Sequence, residues 1–206
     1  MIYPSANTKD YRISKRIPDS IFGLKILHLL LVSSGWSKPA GLNIETELIT
    51  RRSDEGRIKT LVVRPKNAPK NLPVIVHLHG GGYAVGSPSQ DFLMMKRYMD
   101  VRPCIFIAPQ YRRSLRHPYP AGIEDCYDAL LWAREHAEEY GGRSDQIFIM
   151  GESGGGGLTA ALCLLARDRG EVNISCQFPL YGMFDDREEN FTKCDPELLV
   201  WSKRRT

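Results

Sequence analysis

Gln146-Ile147-Phe148-Ile149-Met150-Gly151-Glu152-Ser153-Gly154-Gly155-Gly156-Gly157 is the stretch on which the fold turns. Its first five residues make a short, mainly apolar run, as expected of a strand covered on both faces. The run passes directly into G-x-S-x-G, written here Gly151-Glu152-Ser153-Gly154-Gly155. Residues 158–169 then read as a helix that stops at Gly170. Strand, serine between glycines, helix is the setting of a nucleophile elbow, which holds a serine on a strained turn with its hydroxyl above the sheet. Small neighbours are a steric requirement there, because strand and helix pass too close for larger side chains. A plainer reading is that Ser153 only N-caps the helix. A phosphate-binding P-loop is excluded: G-x-x-x-x-G counted from Gly151 ends at Gly156, and Gly157 stands where a lysine is needed.

A second glycine loop lies upstream. Residues 73–79 are a continuous apolar strand, followed at once by His79-Gly80-Gly81-Gly82-Tyr83. Consecutive glycines let backbone amides point into a cavity without obstruction by Cβ, which suits an oxyanion. A flexible surface turn and a phosphate cradle are the alternatives. A dinucleotide G-x-G-x-x-G does not fit, since its sixth position from Gly80 is Val85. Further strands are read at 104–109 and 172–180, and helices at 87–101, with Ser87 as N-cap, and 120–140, ended by Gly141-Gly142. Strands alternating with helices from residue 72 onward predict an α/β fold, a mostly parallel sheet with helices on both faces. Before it, residues 42–52 and 57–64 read as an antiparallel hairpin turning at Ser53-Asp54-Glu55-Gly56. Residues 21–34 are apolar on nearly every face and predict a helix that something must cover.

Composition narrows the function classes. The 206 residues carry 28 basic and 24 acidic side chains, a formal charge of +4, so the chain is no polyelectrolyte. Its basic residues are scattered, without an aromatic-interleaved basic block, so no nucleic-acid partner is expected. The apolar run 21–32 is broken by Gly23, Lys25 and His28 and is too short for a bilayer core of ~30 Å. Lys9, Arg12, Lys15 and Arg16 precede it, but no A-x-A-like cleavage site follows. The five cysteines include no C-x-x-C pair, which predicts free thiols in a reducing, cytoplasmic compartment.

Taken together, the two loops resemble the α/β-hydrolase fold, and in particular its hormone-sensitive-lipase-like esterases and lipases. The likeness covers residues 72 to 190. It includes Tyr111-Arg112, His117-Pro118-Tyr119-Pro120-Ala121, Glu124-Asp125, and Pro179-Leu180-Tyr181 leading to Asp185-Asp186. The resemblance implies that Ser153 attacks a carboxylic ester, that the amides of Gly81, Gly82 and Gly154 hold the oxyanion, and that no cofactor is needed. It also implies an N-terminal helical cap segment, residues 1–41, over a hydrolase core at 42–206. Family members often carry Asp at the place of Glu152 and Ala at the place of Gly154.

The histidines set a limit on this chemistry. A serine hydroxyl needs a general base, and in this fold the order is Ser, then Asp or Glu, then His. His28, His77, His79, His117 and His136 all precede Ser153. The triad order cannot be completed, so the core is expected to be incomplete at its C-terminal side, lacking the last strands. His79 or His117 would serve only in a rearranged site. His77 and His79 lie two apart on one strand face, yet no third ligand is evident, so no metal is expected. The expected function is a serine ester hydrolase acting on a small-molecule ester, weak or inactive in this form. The alternative is a non-catalytic homologue that binds a small molecule. An unprotected last strand is also expected to favour self-association.

Overall fold

The computed structural model describes residues 20–34, 38–185 and 187. Helix α1 (Ile21–Ser34) comes first, followed by strands β1 (Leu42–Thr50) and β2 (Arg57–Pro65), which pair antiparallel from Leu42 opposite Pro65 to Thr50 opposite Arg57. Then come β3 (Leu72–Leu78), α2 (Phe92–Val101), β4 (Ile105–Pro109), α3 (Ala121–His136), β5 (Gly142–Glu152), α4 (Gly154–Arg169) and β6 (Cys176–Leu180). They form one six-stranded sheet in the order β1-β2-β4-β3-β5-β6. The β4-β3-β5-β6 part is parallel, and β2 joins it antiparallel through β4. This is the mostly parallel α/β sheet expected from the alternation of elements and the α/β-hydrolase plan that the resemblance of the two loops implied.

The near-continuous apolar strands are explained by burial on both faces. Val74, Val76, Ile105, Ile107, Ile147 and Ile149 pack on one face against Tyr127 and Leu130 of α3 and Leu158 and Leu162 of α4. Phe106, Ala108 and Met150 face the other way, onto Phe92, Met95 and Met99 of α2. Full burial of each large aliphatic or aromatic side chain contributes about 1.5–3 kcal/mol, so the central strands dominate the stability. They are also the rigid platform from which both glycine loops emerge.

Several boundaries differ from the sequence reading. Helix α4 begins at Gly154 rather than 158, because tertiary packing makes glycines helical where their intrinsic propensity argues against it. Strand β5 begins at Gly142, paired with Leu72 ahead of an irregularity in register. Strand β6 is shorter than expected, and Ser175 ahead of it donates its amide to Ile147 O at 2.8 Å. The helix expected over 87–101 opens with a 3-10 turn at Pro88–Asp91. Helix α1 buries Leu24 but leaves Phe22 73% and Leu29 63% exposed, so among the described residues its outer face is uncovered. Residues 1–19 and 35–37 of the expected cap segment lie outside the described residues. Among the described residues no helix is long and apolar enough to cross a membrane.

Candidate active site

Strand β5 ends where its last residue hands over to Ser153, which adopts φ 53° and ψ −118°. A non-glycine residue there stores on the order of 1–3 kcal/mol and persists only when its surroundings hold it. The holders are visible: the Ser153 amide donates to Leu180 O at 3.0 Å, and Ser153 O accepts from Gly157 N at 3.1 Å and Met183 N at 3.2 Å. Gly155 makes the tight passage possible, since a Cβ there would lie 1.9 Å from Leu78 O. Ser153 stands at the N-cap position of α4, yet its side chain makes no capping hydrogen bond. The plainer capping role is therefore not what the serine does. Its hydroxyl makes no hydrogen bond with another described residue.

The first loop faces this turn. Gly81, Gly82 and Tyr83 take φ of 130°, 55° and 62° in succession, a left-handed run that side chains seldom adopt. Ala84 N and Val85 N both donate to Gly81 O, at 3.1 and 3.0 Å, and Tyr83 Oη donates to Met183 O at 2.9 Å. The loop and the elbow touch: a Cβ at Gly154 would sit 2.8 Å from Tyr83 N and 3.0 Å from Gly82 N. The amides of Gly81 and Gly82 have no acceptor among the described residues. That of Gly154, first in its helix, has no helical acceptor either. The structure thus gathers Ser153, Gly82 and Gly154, with Gly81 one residue along the same run. Beside them, an apolar cavity of about 460 Å³ is lined by Tyr83, Tyr119, Ile123, Gly157, Leu158 and Ala161. A cleft of about 730 Å³ around Asn71 and Gly142 lies at the opposite end of β3 and takes no part in this geometry.

Among the described residues no histidine hydrogen-bonds the serine hydroxyl. His79 is fully buried, stacks on Tyr111 with ring centroids 4.2 Å apart, and donates through Nδ1 to Gly80 O at 2.8 Å. Tyr111 Oη fixes the loop start by donating to His79 O at 2.6 Å. Burial above all depresses the His79 pKa to about 3, so this imidazole is neutral and a poor base near pH 7. His117 is exposed.

His77 does not converge with His79. It turns to two carboxylates: its Nε2 lies 3.1 and 3.3 Å from the Glu152 oxygens and 3.9 Å from Asp91 Oδ2. Ligand-type atoms of His77, Asp91 and Glu152, without His79, lie within 4.8 Å of one another. Burial opposes a charged His77, but the hydrogen bond and charge of Glu152, with Asp91 behind, outweigh it and raise its pKa. Asp91 is pushed up to about 6 by burial, which outweighs the lowering charge of His77, with the Glu152 charge adding to the rise. This ionic group directly under the elbow was missed in the sequence. One signal was present, a histidine inside an apolar buried strand, which must find a polar partner. A second buried pair ties the resembling motifs together: Asp125 accepts from Arg112 N at 2.8 Å and from its Nη2 at 2.8 Å.

The profile of a family described as "alpha/beta hydrolase fold" matches residues 75–204. Carboxylesterase NlhH of Mycobacterium tuberculosis is 38% identical over 124 residues, which are 60% of this chain and 39% of that protein. Hormone-sensitive lipase of Bos taurus is 29% identical over 115 residues, 56% of this chain and 15% of its own length. Among solved structures, a bacterial heroin esterase superposes with a TM-score of 0.81 at 27% identity, covering 89% of this chain and 59% of its own. The chain thus spans less than half the length of the curated relatives it matches.

Proposed function

Because this chain belongs to the α/β-hydrolase fold family, we propose that it is a carboxylic ester hydrolase working through an acyl-enzyme on Ser153. The observation that carries the reading is the strained Ser153 followed by Gly154, which lies against Gly82 and Tyr83 of the first glycine loop, where the amides of Gly81 and Gly82 have no acceptor among the described residues. In this reading Ser153 Oγ attacks the ester carbonyl carbon, and the carbonyl oxygen takes its negative charge facing the amides of Gly81, Gly82 and Gly154. The alkoxide leaves with a proton, and water then hydrolyses the acyl-enzyme to free acid and serine. Preorganised donors of this kind are each worth ~10²–10³ in rate. No cofactor enters these steps.

The proton relay is the weak part of the 206-residue chain. No histidine follows Ser153, so turnover by this chain is expected to be feeble, about 10³–10⁴ over water from oxyanion and binding effects. The same observation favours a second reading, a homologue that binds a small carboxylate or ester without turning it over. Two measurements separate them. A fluorophosphonate that labels the wild type and spares Ser153→Ala, together with p-nitrophenyl acetate turnover lost in that variant, supports hydrolysis. Ligand-dependent thermal stabilisation with no labelling supports binding alone. Equal turnover by Ser153→Ala would refute the role given to Ser153. Supplying a downstream segment bearing an acid and a histidine is expected to raise turnover by orders of magnitude.

A further inference from the structure

Ala84 and Val85, at the end of the first glycine loop, also border a crevice of about 740 Å³ whose walls include Lys25, His28, Arg57, Lys59, Arg113 and Arg116. No aspartate or glutamate lines it. Several arginines elsewhere, among them Arg51, Arg64, Arg134, Arg143 and Arg169, pair with a carboxylate, and of the crevice's own cations Arg112 pairs with Asp125 and Asp54. The others, Lys25, Arg57, Lys59, Arg113 and Arg116, pair with no carboxylate among the described residues. Arg113 is the centre of the arrangement. It is half-buried; its Nη1 lies 2.7 Å from His28 Nε2 and 3.0 Å from His28 Nδ1 and donates to Gly86 O at 3.2 Å, while Gly86 N donates to His28 Nδ1 at 3.1 Å.

These contacts give Arg113 neutral partners only. Burial, and next the charge of Arg116, pull its pKa below the ordinary arginine value. Burial and then Arg113 likewise lower that of His28, which leaves the imidazole neutral at pH 7. A partly desolvated guanidinium among further cations, with no counter-charge, is costly by itself and is relieved by an anion. Arginine presents a planar fork matched to carboxylate or phosphate oxygens. A concavity in the ~300–1,000 Å³ range is of ligand size, and charge concentrated in a concavity selects a small molecule over a polyanion.

We infer that this crevice between α1, β2 and the turn after β4 is a binding site for a small organic anion, with Arg113 as the anchor for its carboxylate or phosphate group and Arg57, Lys59 and Arg116 around it. The crevice shares Tyr111, Arg112 and His117 with the cavity beside Ser153, but Ser153 does not line it, and the proposal does not depend on the hydrolase reading. The test titrates inorganic phosphate and succinate into the 206-residue protein at ionic strength held constant with chloride, following melting temperature and calorimetric heat. Saturable stabilisation by either anion is expected, the tighter of the two identifying the head group. Arg113→Met is expected to weaken binding tenfold or more, and so is the double variant Arg57→Ala/Lys59→Ala. The double variant alters only exposed residues, so it decides the matter if Arg113→Met does not fold. Ser153→Ala is expected to bind as the wild type does, which keeps this result apart from any failure of the active-site reading. No stabilisation beyond matched chloride, or undiminished binding by the double variant, would overturn the proposal.

Discussion

At position 155 the elbow admits no side chain at all. An added Cβ would lie 1.9 Å from Leu78 O, a backbone atom inside the sheet. Gly155→Ala is therefore expected to cost more than the ~1–3 kcal/mol typical of overpacking and to abolish cooperative unfolding in urea. Gly170→Ala is the control: φ is 67° but nothing stands within 4 Å, so only the left-handed backbone penalises it, by about 1–2 kcal/mol. Equal losses in the two variants would contradict the close approach. The ionic group beneath the elbow makes a different prediction. Asp91 titrates at about 6 in the folded chain against an ordinary 3.8. The folded state thus holds this proton more tightly than the unfolded state, and the associated stability, present below about pH 4, is lost as pH rises through about 6. Asp91→Asn escapes that loss. Its stability relative to wild type is expected to improve between about pH 4 and pH 7 by on the order of 1–3 kcal/mol, read from denaturation curves at both pH values. A difference that stays constant with pH would show that Asp91 does not carry the raised pKa.

Between elements, the Arg112–Asp125 pair fastens the segment after β4 to α3. Asp125 is 2% exposed and Arg112 19%, so removing the acid leaves a partly buried guanidinium with only the longer carboxylate contact to Asp54 at 3.5 Å. Asp125→Ala is expected to cost about 3–5 kcal/mol, and the measured melting temperature should fall accordingly, while a surface pair such as Arg143–Asp145 should be worth no more than ~1 kcal/mol. A similar small effect at both pairs would remove the clamp from the account. Most elements were legible as sequence because their signals are local: apolar strands bounded by glycines, a helix stopped at Gly170, a hairpin around residues 53–56. What escaped was the ends. The first turn of α4 consists of four glycines, which single-residue propensity assigns to a loop, and only packing against β3 and the first glycine loop makes them helical. The two glycine loops were readable for the same reason that their flanking strands were, and their mutual contact was not, since about seventy residues separate them.

For the molecule as a whole, the two edges of the sheet are unlike. Edge strand β1 carries Glu45 and Glu47, whereas edge strand β6 is Cys176-Gln177-Phe178-Pro179-Leu180 with no charge. Phe178 is 43% exposed, and among the described residues nothing pairs with the outer side of β6. Uncharged apolar edges are templates for pairing, blunted here only by the missing amide of Pro179. We propose that the 206-residue chain self-associates through this edge, and Phe178→Lys is expected to shift its size-exclusion profile toward the monomer; a wild-type monomer at every concentration would refute it. The sequence by itself determined the layered α/β plan, the strand–serine–helix turn and the absence of a histidine after Ser153, because periodicity, glycine spacing and residue order are properties of neighbours along the chain. Only the tertiary structure decided that His77, Asp91 and Glu152 form one buried group, that the amides of one loop press on the elbow of the other, and that scattered basic residues converge on one acid-free crevice. These are meetings of residues far apart in sequence. Their energies come from burial and charge in a shared low-dielectric volume, which exists only after the sheet has brought the strand ends together.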